Sequence, residues 1–292
     1  MTDLERSLII QALEEDAGRG DPTTAATIDP SLFGQAYFLA KAEGILAGID
    51  IAGEVFSLFA AKSKREKDIR FEKKISDGKR VSQGDHLAVL NAPLDILLTA
   101  ERVSLNLLQR MSGIATLTHE FVKAVKGTHA CILDTRKTAP LLRPFDRYGV
   151  LCGGGKNHRY SLGEMILVKD NHIAANQLNI EHVLKKLRAY FQKGEKLIPV
   201  EIEVTSVEQL GIVLDHGKNL VGRVLFDNFE IEQLREAVTI TGGIFETEAS
   251  GGVNLTTVRA IAETGVDYIS VGALTHSVIG LDISLEIDQS AV

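Results

Sequence analysis

The chain has 292 residues, 45% of them hydrophobic, carries a formal net charge of −7 and contains no tryptophan. That much apolar material can bury a core in one large or two medium domains, while an acidic balance with few aromatics argues against nucleic-acid binding, which calls for a basic face with stacking rings. No apolar run approaches the ~18 residues of a membrane span, residues 1–20 lack the basic start and apolar middle of a signal peptide, and two cysteines, Cys131 and Cys152, are too few for a disulfide framework; a cytoplasmic location is expected.

A helix opens the chain. Thr2 and Glu5 have capping-box spacing, Leu4, Leu8, Ala12 and Leu13 recur at helical intervals, and Gly18 is placed to end it. After a turn-rich stretch at 18–24, residues 36–91 read as a small α+β domain: a strand at 36–40, a helix at 49–60, a strand at 69–71, and turns at Ser76-Asp77-Gly78 and Gln83-Gly84-Asp85. The D-G-x-x-V-x-x-G-D-x-L phrase at 77–87 resembles a carrier-domain hairpin, but no modifiable lysine turn accompanies it, and turn chemistry is the reading adopted. Pro93 stands where a proline opens a helix; Leu97, Leu98, Leu105, Leu108 and Met111 form its apolar face, with Glu101, Arg102 and Gln109 off that face and Ser112-Gly113 as a stop. This helix reads as the hinge between a domain at 1–112 and a second at 113–292, whose last ~15–20 residues are expected to pack back on the first.

Beyond Gly113 apolar runs recur at 131–133, 165–168, 198–204, 224–226, 243–249 and 268–271, each followed by a stretch able to hold a helix. Such alternation implies an α/β fold with a parallel sheet wound by right-handed crossovers. Nearly every run ends in reactive groups: Asp134-Thr135-Arg136-Lys137, Lys169-Asp170-Asn171-His172, Glu203, Asp227-Asn228, Ser250-Gly251-Gly252 and Gly272. Catalytic residues gather at the carboxyl ends of the strands in β/α barrels, and since a full barrel takes ~250 residues, a shortened or open barrel is expected.

Between Asp134 and His172 there are seven Lys or Arg against four Asp or Glu, so a net +3 segment sits in an acidic chain. That contrast points to one small anionic ligand rather than a general affinity for polyanions. Arg136, Lys137, His158, Arg159 and Lys169 would surround it, arginine offering planar forks to carboxylates and lysine point charge to phosphates. The backbone of Ser250-Gly251-Gly252 and Gly272 suits a phosphate. Gly153-Gly154-Gly155-Lys156 fails as a P-loop, because Val150 stands where glycine is required and Asn157 where Ser or Thr is required; the triple glycine is read as flexible backbone that lets His158 and Arg159 reach the ligand. Glu203 and Asp227 end neighbouring runs and could hold a divalent cation, bind sugar hydroxyls or stabilise a positive transition state. His172 is read as supporting the site or as merely structural.

In this order the motifs resemble the quinolinate phosphoribosyltransferase family: E-D-x-G-x-G-D-x-T-T at 15–24, E-R-V-S-L-N-L-L-Q-R-M-S-G-I-A-T at 101–116, D-T-R-K-T at 134–138, G-G-G-K-N-H-R at 153–159, V-K-D-N-H at 168–172, V-E-I-E-V at 200–204, and E-A-S-G-G with V-G-A-L-T-H-S near the end. The resemblance implies an N-terminal α/β sandwich domain and an open, shortened α/β barrel. It also implies conversion of quinolinate and phosphoribosyl pyrophosphate to nicotinate mononucleotide, pyrophosphate and CO₂, with Mg²⁺, on the de novo route to NAD. A homodimer or higher assembly is implied, with Arg102 reaching the neighbouring subunit's site. By position, Arg136, His158, Arg159 and the partner's Arg102 would grip the carboxylates. Thr135, Lys137 and Lys169 would serve the substrates' anionic groups, Glu203 and Asp227 the ribose directly or through Mg²⁺, and Ser250, Gly251, Gly252 and Gly272 the 5′-phosphate. Two departures stand out: Leu141 replaces a glycine usual in the family, and the interval from Glu203 to Asp227 is longer than usual. A same-fold enzyme acting on nicotinate or another acceptor is the near alternative, and a non-catalytic phosphosugar-binding protein the distant one.

Overall fold

The computed structural model describes residues 1–288. In chain order the elements are α1 (Asp3–Ala17), α2 (Pro22–Thr27), β1 (Phe33–Ala40), β2 (Gly44–Ile45), α3 (Ile49–Ala61), β3 (Arg70–Lys73), β4 (Arg80–Val81), β5 (His86–Pro93) and α4 (Leu94–Ala124). There follow β6 (Cys131–Leu133), α5 (Arg143–Cys152), β7 (Ile166–Val168), α6 (Asp170–Ala174), α7 (Ile180–Gln192), β8 (Val200–Val204), α8 (Val207–His216), β9 (Arg223–Asp227), α9 (Ile231–Thr241), β10 (Glu246–Ser250), α10 (Val258–Ala262), β11 (Tyr268–Ser270), α11 (Ala273–His276) and β12 (Ile283–Ile287). They fall into two compact units, one built from Met1–His119, Thr138–Gly154 and the chain from Leu274, the other from Glu120–Lys137 and Gly155–Ala273.

The first unit is organised by an antiparallel sheet in the order β12-β1-β5-β3. Burial along β1 alternates, so Ala36, Phe38 and Ala40 share the core face, and Phe38 meets Phe56 of α3 and Phe71 of β3 edge-on at centroid distances of 6.2 and 6.1 Å. The capping box expected at the N-terminus is present: Glu5 N–H donates to Thr2 Oγ1 at 3.2 Å, and Thr2 N–H donates to Glu5 Oε2 at 2.6 Å.

The central helix departs from expectation at both ends. Pro93 closes β5, paired with Phe33 on β1, and the helix starts one residue later. At the other end Ser112 and Gly113 do not stop it; α4 runs 31 residues to Ala124. Long-range contacts explain the continuation. The Ser112 hydroxyl is hydrogen-bonded to the Ala47 backbone, accepting from its N–H at 3.0 Å, and a Cβ at Gly113 would lie 2.0 Å from the carbonyl oxygen of Ile279. Glycine is there to let another chain segment touch the helix. Gly153 likewise caps α5 with Ala115 and Thr118 against it, so this member of the triple glycine is packed rather than flexible.

The second unit holds a parallel sheet in the order β6-β11-β10-β9-β8-β7. Sequential order with the first strand beside the last is the arrangement of a barrel opened between β6 and β7. All six strands overlap the apolar runs read from the sequence; the run at 224–226 lengthens to Arg223–Asp227, and the run at 243–249 yields a strand shifted to Glu246–Ser250. Every residue of β8 is buried, including Glu201 and Glu203, whose separation by two puts them on one face.

Gly113→Ala tests the helix contact. Alanine favours a helix by about 1 kcal/mol over glycine, but the clash with Ile279 forces two backbones apart, an overpacking cost of about 1–3 kcal/mol. A net loss of stability in denaturant unfolding is expected; a stabilised variant would show that the approach is not tight.

Candidate active site

Backbone hydrogen bonds bring two cationic segments together at the end of β6. Lys156 N–H donates to Ile132 O at 2.8 Å, Asp134 N–H donates to Lys156 O at 3.1 Å, and His158 N–H donates to Asp134 Oδ1 at 2.6 Å. Lys156 is therefore bridged to Leu133 at the edge of β6, and the segment carries His158 and Arg159 to Thr135, Arg136 and Lys137. Asp134, fully buried, anchors the arrangement. Arg159 Nη1 donates to Met165 O at 2.8 Å.

A cavity of about 280 Å³ opens at the carboxyl ends of the strands, lined by Thr135, Arg136, Lys137, His158, Arg159, Lys169 and Ser250 among the residues expected from sequence, together with Leu167, Leu225, Glu248 and Ser270. The Arg159 guanidinium loses proton affinity, chiefly through burial and next through the charge of Arg136, the signature of cations held close to one another. Glu203 connects to the cavity through Lys169, whose Nζ lies 3.3 Å from its Oε2, and accepts from Asp170 N–H at 3.3 Å. His172 serves the local backbone. Its Nδ1 accepts the N–H of Lys169 at 2.9 Å and holds the turn into α6.

Asp227 ends β9 opposite Ser250 in the register, and its Oδ2 accepts from Asn228 Nδ2 at 2.7 Å. Asn228 itself sits at φ 57°, with its side chain against Gly251 (φ 94°): a Cβ there would lie 2.2 Å from Asn228 Oδ1. The glycine loop after β10 is thus tied to the acid after β9. Gly272 follows β11, and Arg102 lies on α4 in the first unit, its side chain 60% exposed beside Glu101.

Sequence reasoning passed over Glu201 and Arg223 and gave Glu248 no role. His158 Nε2 lies 3.1 Å from Glu201 Oε2 and 3.5 Å from Glu248 Oε2; Arg223 Nη1 lies 2.9 Å from the same Glu248 oxygen, with its guanidinium 3.9 Å from the Tyr268 ring centroid. Burial disfavours charge throughout this cluster. It raises the Glu201 carboxyl to about 7, helped by neighbouring Glu248, whereas the two carboxylates favour a proton on the His158 ring despite its burial. The ring's other nitrogen constrains the proton count, for Nδ1 accepts the N–H of Arg159 at 2.7 Å and needs its lone pair to do so. As oriented, the ring is the Nε2–H tautomer, and a second proton requires the Arg159 contact to break.

His158, Glu201 and Glu248 have the spacing of a metal-ligand set, their donor atoms lying within 4.8 Å of one another. A proton on Nε2 and the Arg223 guanidinium on Glu248 describe a charge-compensated hydrogen-bonded cluster instead. The signal in the sequence was V-E-I-E-V: alternate acids in an otherwise apolar strand share one face.

Residues 21–112 match the family model for the quinolinate phosphoribosyl transferase N-terminal domain, and residues 114–286 that for its C-terminal domain. The chain belongs to the quinolinate phosphoribosyltransferase family. A Nicotiana tabacum relative, quinolinate phosphoribosyltransferase (decarboxylating) 2b, mitochondrial, is 43% identical over 95% of this chain and 80% of its own length. A probable nicotinate-nucleotide pyrophosphorylase (carboxylating) of Bacillus subtilis is 41% identical over 94% of this chain and 91% of its own. The crystal structure of NadC from Streptococcus pyogenes, 36% identical, superposes with a TM-score of 0.88 over 96% of this chain and 95% of that one.

Leu141, which stands where the resemblance leads one to expect a glycine, takes a left-handed backbone with φ 67°, and its side chain is 68% exposed. A left-handed conformation costs a non-glycine residue about 1–2 kcal/mol, and little packing offsets it here. Leu141→Gly relieves that strain while adding freedom to the unfolded chain, a smaller term. It is expected to stabilise the protein by up to about 1 kcal/mol in reversible unfolding; a loss of stability would mean that the exposed leucine makes a contact of its own.

Proposed function

We propose that this chain transfers the phosphoribosyl group of phosphoribosyl pyrophosphate to the ring nitrogen of quinolinate, with loss of CO₂, yielding nicotinate mononucleotide for the de novo synthesis of NAD. The observation that carries the reading is the convergence of Arg136, Lys137, Arg159 and Lys169 on one small cavity in a member of this family. So dense a set of cations suits a dicarboxylate better than nicotinate, because each carboxylate can take a charge-assisted pair of hydrogen bonds. A cytoplasmic location is part of the proposal; Cys131 and Cys152 are both free thiols.

In this reading Arg136 and Arg159 hold the carboxylates, joined by Arg102 of the partner subunit in a homodimer or higher assembly. Exposure of Arg102 on α4 supports that assignment. His158 lines the same wall, its ring nitrogens engaged on the protein side. Lys137, Lys169 and Thr135 meet the remaining anionic groups, pyrophosphate included. The backbone around Ser250, Gly251, Gly252 and Gly272 receives the 5′-phosphate, and Gly252, with nothing within 4 Å of where a Cβ would stand, leaves that surface open.

The ring nitrogen's lone pair forms the bond to C1 of the ribose as the C1–O bond breaks and pyrophosphate leaves with its electron pair. Glu203 and Asp227 are carboxylates at neighbouring strand ends, suited to stabilise the positive charge that grows on the sugar. The quaternised nitrogen then draws electrons: the bond from C2 to its carboxylate breaks, the pair stays at C2 next to the cationic nitrogen, and C2 takes a proton. The oxygen-only donors of Glu203 and Asp227, both already engaged by protein N–H or ammonium groups, fit Mg²⁺ that takes most of its ligands from substrate and water. When bound, Mg²⁺ would neutralise charge on the departing pyrophosphate.

Incubation of the purified protein with phosphoribosyl pyrophosphate, Mg²⁺ and either quinolinate, nicotinate or nicotinamide tests the reading by mass spectrometry. Nicotinate mononucleotide with stoichiometric CO₂ from quinolinate is expected; the same product from nicotinate alone would overturn the choice of acceptor. Arg159→Ala should weaken quinolinate binding by about 2–5 kcal/mol in calorimetry, and unchanged affinity would remove Arg159 from the carboxylate site. Asp227→Asn should lower kcat, by roughly a hundredfold, more than it alters either KM; a raised KM alone would count against a role in the transition state.

A further inference from the structure

Under the cavity floor, Glu201 of β8 and Glu248 of β10 flank β9 from either side, Glu201 in register with Arg223 and Glu248 with Leu225. Both carboxylates are fully buried, yet neither Glu201 oxygen nor Glu248 Oε1 accepts a hydrogen bond of good geometry. Taking carboxylates out of water costs several kcal/mol each, and apolar replacements of buried ion clusters are often neutral or stabilising. Fold stability therefore gives no reason for two acids at this depth. The structure does show what they hold. Nε2 of His158 faces both, its Nδ1 receives the Arg159 N–H, and the imidazole is fixed at both edges between the buried acids and the backbone of a cavity-lining arginine.

We propose that Glu201 and Glu248 are positioning residues of the carboxylate pocket, whose charge attracts the Nε2–H edge of the His158 ring and so keeps its Nδ1 on the Arg159 backbone, thereby aiming the guanidinium. The nature of the ligand rests on the function proposed above; the positioning itself does not. Arg223 completes the device. Its Nη1 sits on Glu248 at 2.9 Å and its Nη2 on Glu246 at 3.0 Å, so the carboxylate on the cavity floor is compensated from below and does not repel an anion above. Glu201→Leu removes both the acceptor and the charge, which leaves the ring only Glu248, already engaged by Arg223, and so loosens the Nδ1 contact.

The test joins binding, kinetics and spectroscopy. Nitrogen NMR of histidine-labelled wild-type protein, with His158 assigned by comparison with His158→Asn, is expected to show a proton on Nε2 and none on Nδ1. A protonated Nδ1 in wild type would overturn the proposal, and this readout needs no substrate and no variant of either acid. Folded Glu201→Leu should show a changed His158 signal and a quinolinate KM raised about tenfold or more, with kcat and the KM for phosphoribosyl pyrophosphate within about threefold of wild type. Unchanged quinolinate KM, or equal losses for both substrates with the His158 signal intact, would also overturn it. If wild-type protein bound no quinolinate, the proposed function would fall, while the state of the ring would still decide the positioning role.

Discussion

The site depends on the backbone bridge from Lys156 to the end of β6. Without it, Arg136 and Lys137 on one side and Arg159 on the other would have every electrostatic reason to separate. Two unit charges 4 Å apart repel by ~4 kcal/mol at an effective dielectric of 20, so such a cluster forms only where covalent and hydrogen-bonded geometry leaves no alternative. Two backbone hydrogen bonds between Ile132, Asp134 and Lys156, and a third from His158 N–H to the buried Asp134 carboxylate, supply that geometry. Asp134 is thus a structural counter-ion as well as a clamp: its negative charge lies where the cations converge, but it is wholly inside and not available to a ligand.

Charge at this end of the sheet is layered. Cations line the cavity walls, while Glu248 lies at its floor and Glu201 and Glu203 stand behind, each matched to a specific partner in His158, Lys169 or Arg223. Such layering lets an acidic protein present a strongly positive pocket, because the acids keep the cations oriented without competing for the ligand. It also fixes the dipoles before any substrate arrives, which is what makes fixed charge effective for a reaction whose intermediates are themselves charged.

Much of this was legible in the sequence because parallel strands buried on both faces read as short apolar runs, and the residues that end them are those the fold exposes at one rim. The Asp134 to Lys137 run, Lys169 and Ser250 were readable on that ground. The course of α4 was not. Local propensity makes Pro93 a start and Ser112-Gly113 a stop, but Pro93 is held in a sheet by Phe33, and the supposed stop is a contact surface for Ala47 and Ile279, far away in sequence. Glu201 and Glu248 were visible as letters but not as a pair, since their meeting depends on β9 lying between β8 and β10 and on an imidazole arriving from the segment beside β6.

Asn228 illustrates how tightly neighbouring chemical roles are coupled here. Glycine would adopt its left-handed backbone at no steric cost, so a side chain at that position needs a compensating interaction. The amide makes two: its nitrogen donates to Asp227, and its oxygen lies flat against Gly251. Asp227 is therefore oriented by the same residue that packs on the glycine loop, and movement of that loop would be felt at the carboxylate. If the function proposed above holds, the loop that would receive the phosphate and the acid that would answer a developing positive charge are joined through this one side chain, so binding at one end of the substrate would bear on the geometry at the other.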